Sequence, residues 1–196
     1  MVSSNSEKIT NLLWSIPQAG GIYLYAILDG ARNEGIYPAI LQSGCEYECL
    51  YRGELDSGLA EAAPYLVKLE KDKLFSNWLI DEGWGDSWGV FIHTAATFRD
   101  LKRHLRKFLM VYDTDTKPMY FRYYDPRVLR TYLPTCNSEE LATVFGPVTS
   151  YLMEDKNSNM LLHFSINANK LETHQHSDCR MPIVRPRSSG PVPMPV

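Results

Sequence analysis

No apolar run in this sequence approaches the roughly 18 residues that a membrane-spanning helix requires. The opening residues 1–6 (MVSSNS) carry neither a basic stretch nor an apolar one, so no signal peptide is recognisable there. The expected compartment is the cytoplasm. Cysteine is scarce: Cys45, Cys49, Cys136 and Cys179 among 196 residues, which excludes a small secreted disulfide framework. None is needed, because a chain of this length buries roughly 70% of the surface its unfolded form exposes. Positive charge is not in excess either. The net charge of −3 and pI near 6.0 give no general attraction to nucleic acid or to an anionic membrane. Glycine-rich phosphate loops of the Walker or dinucleotide type are missing.

What remains is an ordinary globular composition, 44% hydrophobic and 22% charged, with alternating strand and helix signals. Ile9, Leu12, Leu13 and Ile16 have helical spacing, closed by Pro17 and Gly20-Gly21. The run 22–28 (IYLYAIL) is β-branched and aromatic throughout, as in a buried strand. An ambiguous stretch to Gly44, a strand at 47–51, a helix at 55–63 and a strand at 65–69 follow. Residues 74–80 predict a helix stopped by Gly83 and Gly85, and 88–92 a strand. Thr97, with Asp100 three positions on, predicts the capped start of a helix. Its stripe is Phe98, Leu101, Leu105 and Phe108. Two strands, 109–112 and 119–124, flank the turn 113–118. Asp125-Pro126 predicts the start of a helix to residue 133, and another spans 138–145. A final hairpin is expected from 148–153 and 160–166.

This order predicts an α/β (α+β) fold, a mixed β-sheet with covering helices and a small C-terminal hairpin. The expected divisions are an N-terminal helix and linker (1–21), the main domain (22–154), a short extension (155–179) and a Pro-rich tail (180–196). The tail carries Pro182, Pro186, Pro191, Pro193 and Pro195 and reads as polyproline-like or disordered.

Several patterns resemble chemical sites and fit plainer roles better. Residues 85–89 (GDSWG) match G-x-S-x-G, but a nucleophile elbow needs a strand before Ser87 and a helix after it. Here the order is reversed. A histidine and an acid do follow, His163 and Asp125, but any chain supplies such candidates, so the motif reads as a helix-to-strand turn. His174, His176, Asp178 and Cys179 crowd four ligand types together, yet zinc sites usually draw on two separated pairs. Asp113 and Asp115 suit a turn that satisfies its own backbone. No metal or cofactor is expected. The basic residues Arg99, Lys102, Arg103, Arg106 and Lys107 lack the interleaved aromatics of single-strand binders, and fit a solvated face or an acidic protein partner. Twelve tyrosines and four tryptophans exceed what a minimal core needs, and some are expected on a binding surface.

The run 120–129 (YFRYYDPRVL) follows 105–112 (LRKFLMVY) and precedes 130–134 (RTYLP). Together with 23–32 (YLYAILDGAR) and 84–89 (WGDSWG), it resembles the bacterial adaptor–chaperone family of type VI secretion (domain of unknown function four-one-two-three). The resemblance spans roughly residues 22–154. It implies a non-catalytic cytosolic protein that binds a toxin effector and helps load it onto the VgrG spike. The alternatives are an immunity protein or general chaperone of a toxin locus and, further off, a serine hydrolase at Ser87. The motif residues Asp29, Arg32, Trp84, Trp88, Tyr124, Asp125, Pro126 and Arg127 are expected to hold the fold. Arg99, Arg103, Arg106 and Tyr123 are the candidate partner contacts. After residue 166 little length remains for the larger C-terminal lobe that the family often carries.

The capped-helix placement is testable at Asp125. Asp125→Ala is expected to lower stability by about 0.5–2 kcal/mol through loss of the cap. An unchanged denaturation curve would remove Asp125 from that position.

Overall fold

The computed structural model describes residues 4–15, 21–112, 115–158 and 160–176. Its strands are β1 (Tyr23–Asp29), β2 (Tyr47–Cys49), β3 (Pro64–Leu69), β4 (Gly89–Thr94), β5 (Met110–Tyr112), β6 (Pro118–Tyr120), β7 (Val148–Glu154), β8 (Leu161–Asn167) and β9 (Lys170–His176). The α-helices are α1 (Ser4–Leu13), α2 (Ile36–Gln42), α3 (Ser57–Ala62), α4 (Leu74–Gly83), α5 (Phe98–Leu105), α6 (Pro126–Tyr132) and α7 (Ser138–Phe145).

Strand β1 sits inside a seven-stranded sheet of order β2-β3-β1-β4-β7-β8-β9. Its Leu24, Ala26 and Leu28 face one core and its Tyr25 and Ile27 the other. A strand buried on both faces shows no polar alternation, which explains the unbroken apolar run. On the first face lie Ile9 and Leu13 of α1, Ile36 and Ile40 of α2, and Phe75 and Trp78 of α4. On the second lie Leu101 and Leu105 of α5, Leu129 of α6, and Val144 and Phe145 of α7. The result is three layers, helix–sheet–helix.

The expected class holds, but every described ladder of the sheet is antiparallel rather than mixed. The cause is the connections. Strand β3 begins beside the end of β1 (Asp29↔Pro64). Helix α4 then carries the chain back, so β4 re-enters at that same end (Leu28↔Gly89).

Three local expectations change. Strand β9 reads in sequence as a solvated polar stretch, because it is an edge strand with mostly exposed side chains. Residues 155–176 therefore extend the main sheet through β8 and β9. The predicted strand 119–124 ends at Tyr120, and helix α5 ends at Leu105, before Phe108. Pro17, Gly20 and the Pro-rich segment from 180 lie outside the described residues. The caps hold: Thr97 accepts from the Asp100 N–H at 3.2 Å, and Asp125 from the Arg127 N–H at 2.9 Å. A full capping box at Asn137 and Glu140 starts α7.

Two buried histidines tie helices to this frame. His93, fully buried, donates from Nε2 to the Leu13 carbonyl at 2.8 Å, and its Nδ1 accepts from the Ser150 hydroxyl at 3.1 Å. His104 donates from Nε2 to the Val144 carbonyl at 3.0 Å. Burial lowers the pKa of both; the bond to Leu13 opposes the shift at His93, while the Lys107 charge adds to it at His104. An unfolded histidine titrates near 6.5. The unfolded chain therefore takes up protons below that pH while the folded chain does not, so their stabilising effect is present above about pH 6.5 and lost on acidification. The melting temperature is expected to fall between pH 7.5 and pH 5, and His93→Gln to flatten that fall. An equally steep profile in the variant would contradict the assignment.

Candidate functional site

The end of the sheet where β1 and β7 finish and β4 begins gathers the motif residues. Asp29, 1% exposed, closes β1. Its Oδ1 accepts from the Ala31 N–H at 3.2 Å, and its Oδ2 pairs with Arg122. Arg32 donates to the Asp86 carbonyl at 2.8 and 3.3 Å. Trp84 donates from its indole N–H to the Ser158 carbonyl at 2.7 Å. Trp88 packs on Trp78 with ring centroids 5.2 Å apart. Asp125, also buried, caps α6 at Pro126 and holds the Arg127 guanidinium. Burial alone would raise the Asp125 pKa; the hydrogen bonds and charge of Arg127 outweigh it and hold the carboxyl below its usual range.

Glu154 completes the lattice. Its carboxylate accepts from the N–H groups of Gly85 at 2.5 Å and Ser87 at 3.0 Å, and from the Ser87 hydroxyl at 2.9 Å. Ser87 has φ +58°, so the turn is left-handed at a residue with a side chain. Burial pushes the Glu154 pKa up against these donors. The G-x-S-x-G stretch is the helix-to-strand turn between α4 and β4, and the Ser87 hydroxyl is engaged in holding it.

The candidate partner contacts divide. Tyr123 is buried, with its hydroxyl donating to the Leu105 carbonyl at 2.9 Å, so it is a core residue and not a surface one. Tyr124 is buried beside Tyr51, their hydroxyl oxygens 3.5 Å apart. Arg106 is half-buried and donates to the carbonyls of Cys49 at 2.7 Å and of Leu50 and Tyr51 at 3.2 Å. It thereby docks α5 on the end of β2. Lys102 pairs with Glu48 at 2.9 Å. Arg103 pairs with Asp100 along the helix, and Arg99 is exposed. The basic face of α5 is thus partly structural.

Among the described residues the ligand-type side chains do not converge as a centre. His174 and His176 stand on β9, with rings 6.0 and 6.4 Å from that of His163 on β8. No three histidine, cysteine, aspartate or glutamate groups among the described residues are placed to hold one metal ion. Asp178, Cys179 and Asp113 lie outside the described residues.

The surface that sequence reasoning missed is the two-stranded hairpin β5–β6, which pairs apart from the main sheet. Met110, Tyr112, Met119 and Tyr120 are 43%, 69%, 49% and 65% exposed. Leu109, 7% exposed, anchors the hairpin in the second core, and the Phe121 N–H donates to its carbonyl at 3.1 Å. Between the hairpin, the loop after β2 and α3 lies a cleft of about 450 Å³. Its apolar wall includes Leu55, Leu59 and Tyr120, and its cations are Arg52, Arg106 and Lys107. The signal available in sequence was a hairpin with large apolar residues at both alternating positions, more than one buried face can use.

The architecture is thus an antiparallel sheet between helices, with a polar lattice at one end and an aromatic-methionine hairpin beside it. The family model described as Domain of unknown function (DUF4123) matches residues 24–143, more than half of the chain, and the protein belongs to that family. The match ends before β7, leaving Glu154 and the last three strands outside it. No curated protein and no solved structure matches the chain.

Removing the Glu154 carboxylate strands two backbone donors and a hydroxyl in a buried turn. Glu154→Ala is expected to cost on the order of 3 kcal/mol of stability, measured by urea denaturation. A change under about 0.5 kcal/mol would show that the lattice does not hold this turn.

Proposed function

We propose that this protein works by binding alone, as an adaptor that holds a toxin effector and assists its loading onto the VgrG spike of a type VI secretion system. The observation that carries the binding part is the exposed hairpin β5–β6 above a cleft with cations on its wall. Tyrosine, methionine and arginine are the side chains enriched where proteins meet, and methionine adapts its shape to varied partners. An exposed apolar patch on an otherwise polar surface marks an interaction site. The assignment of effector and spike as partners rests on the resemblance of residues 22–154 to the adaptor family; on this reading the protein works in the bacterial cytoplasm.

In this reading the motif residues keep the scaffold rigid, and the hairpin meets the partner. Co-expression with a candidate toxin effector is expected to yield a stable complex. Tyr112→Ala with Tyr120→Ala is expected to weaken that complex roughly tenfold or more, the range of an interface hot spot, without lowering the melting temperature. Failure of the chain to co-purify with effector or spike protein would sink the adaptor reading. A complex whose toxin is enzymatically silenced would point to an immunity protein instead.

A further inference from the structure

We infer that the cleft beside the hairpin receives an acidic, amphipathic segment of the partner protein, an inference that rests on the binding reading above. The first ground is charge. Arg52, Arg106 and Lys107 line the cleft and no carboxylate does. None of the three forms an ion pair among the described residues. Arg106 is fixed by three carbonyl oxygens, which orient its guanidinium and leave its positive charge uncancelled. The nearby acids are turned to other work or stand outside. Glu48 pairs with Lys102, Asp56 caps α3 by accepting from the Leu59 N–H at 2.8 Å, and Glu54 does not line the cleft.

The second ground is shape. Leu59 and Met110 are each more than two-fifths exposed at 44% and 43%, and Tyr120 stands against Tyr51 with ring centroids 5.7 Å apart. A space of about 450 Å³ is in the range of pockets that enclose a small ligand. It suits a few side chains projecting from a peptide rather than a flat globular face. An occupant with apolar residues toward Leu59 and Met110 and carboxylates toward the three cations satisfies both features. A basic segment would set like charges together, which disfavours binding.

The test is a selection of random 12-residue displayed peptides on the purified full chain, followed by fluorescence anisotropy of the winners. Peptides combining Asp or Glu with Leu, Phe or Met are expected, with affinity falling as salt rises. Arg52→Glu with Lys107→Glu is expected to weaken them at least tenfold while leaving the melting temperature unchanged. Should that double reversal fail to fold, Arg52→Gln with Lys107→Gln serves, with a smaller loss in the same direction.

Selection of no peptides, of peptides without an acidic excess, or of acidic peptides indifferent to both variants would overturn the inference. Effector capture by the same variants separates the two readings. Capture that survives the loss of peptide binding places the effector on another surface and overturns the cleft as its seat, with the adaptor reading intact. Absence of capture by the unaltered chain ends the adaptor reading whatever the peptides do.

Discussion

A carboxylate that leaves water must find compensation within the fold, and Asp29 meets that demand at the end of β1, a strand buried on both faces. It is 1% exposed and is answered by one backbone N–H and by the Arg122 guanidinium. Removing Arg122 would strand the buried carboxylate, which costs more than the pair itself contributes. Arg122 lies just after the hairpin and just before the cap of α6. The Asp29 contact therefore fixes where the chain passes from one element to the next. Gly30 shows how tight this corner is, since a Cβ there would meet the carbonyls of Glu61 and Ala63. Asp125 with Arg127 repeats the arrangement one helix on. Arg130 then reaches the Glu154 carbonyl at 3.2 Å, tying α6 to the end of β7.

On the binding reading proposed above, scaffold and recognition occupy neighbouring but separate places. The family signature is built mostly from groups that face inward: Asp29, Trp84, Trp88, Tyr124 and Asp125 are all buried. The groups suited to meeting a partner are carried by the hairpin and the cleft wall. The run 120–129 spans the boundary, with Tyr120 exposed on the hairpin and Tyr123 buried three residues later. Arg106 has a part in each, holding β2 through carbonyls while its charge faces the cleft.

The central strand, the capped helices and the reversed order around Ser87 were legible because each depends on local chemistry. A run buried on both faces, an Asp before Pro and a Thr three residues before Asp speak for themselves. Strand β9 was not legible, because an edge strand needs only one paired side and can carry polar residues such as Glu172 and Thr173. The exclusively antiparallel order was hidden too, since helices between strands are compatible with either direction. Tyr123 and Tyr120 look alike in sequence, and only the tertiary position of the strand end sends one inward and one outward. The lattice partner Glu154 lies far along the chain from Gly85 and Ser87, so no spacing rule connects them.

Among the described residues, the hairpin β5–β6 hydrogen-bonds its strands to each other and to no strand of the seven-stranded sheet. Changes to the exposed side chains Tyr112 and Tyr120 therefore leave the register of the larger sheet alone. On the binding reading, a chain built this way can change what it recognises without disturbing the core that holds its fold.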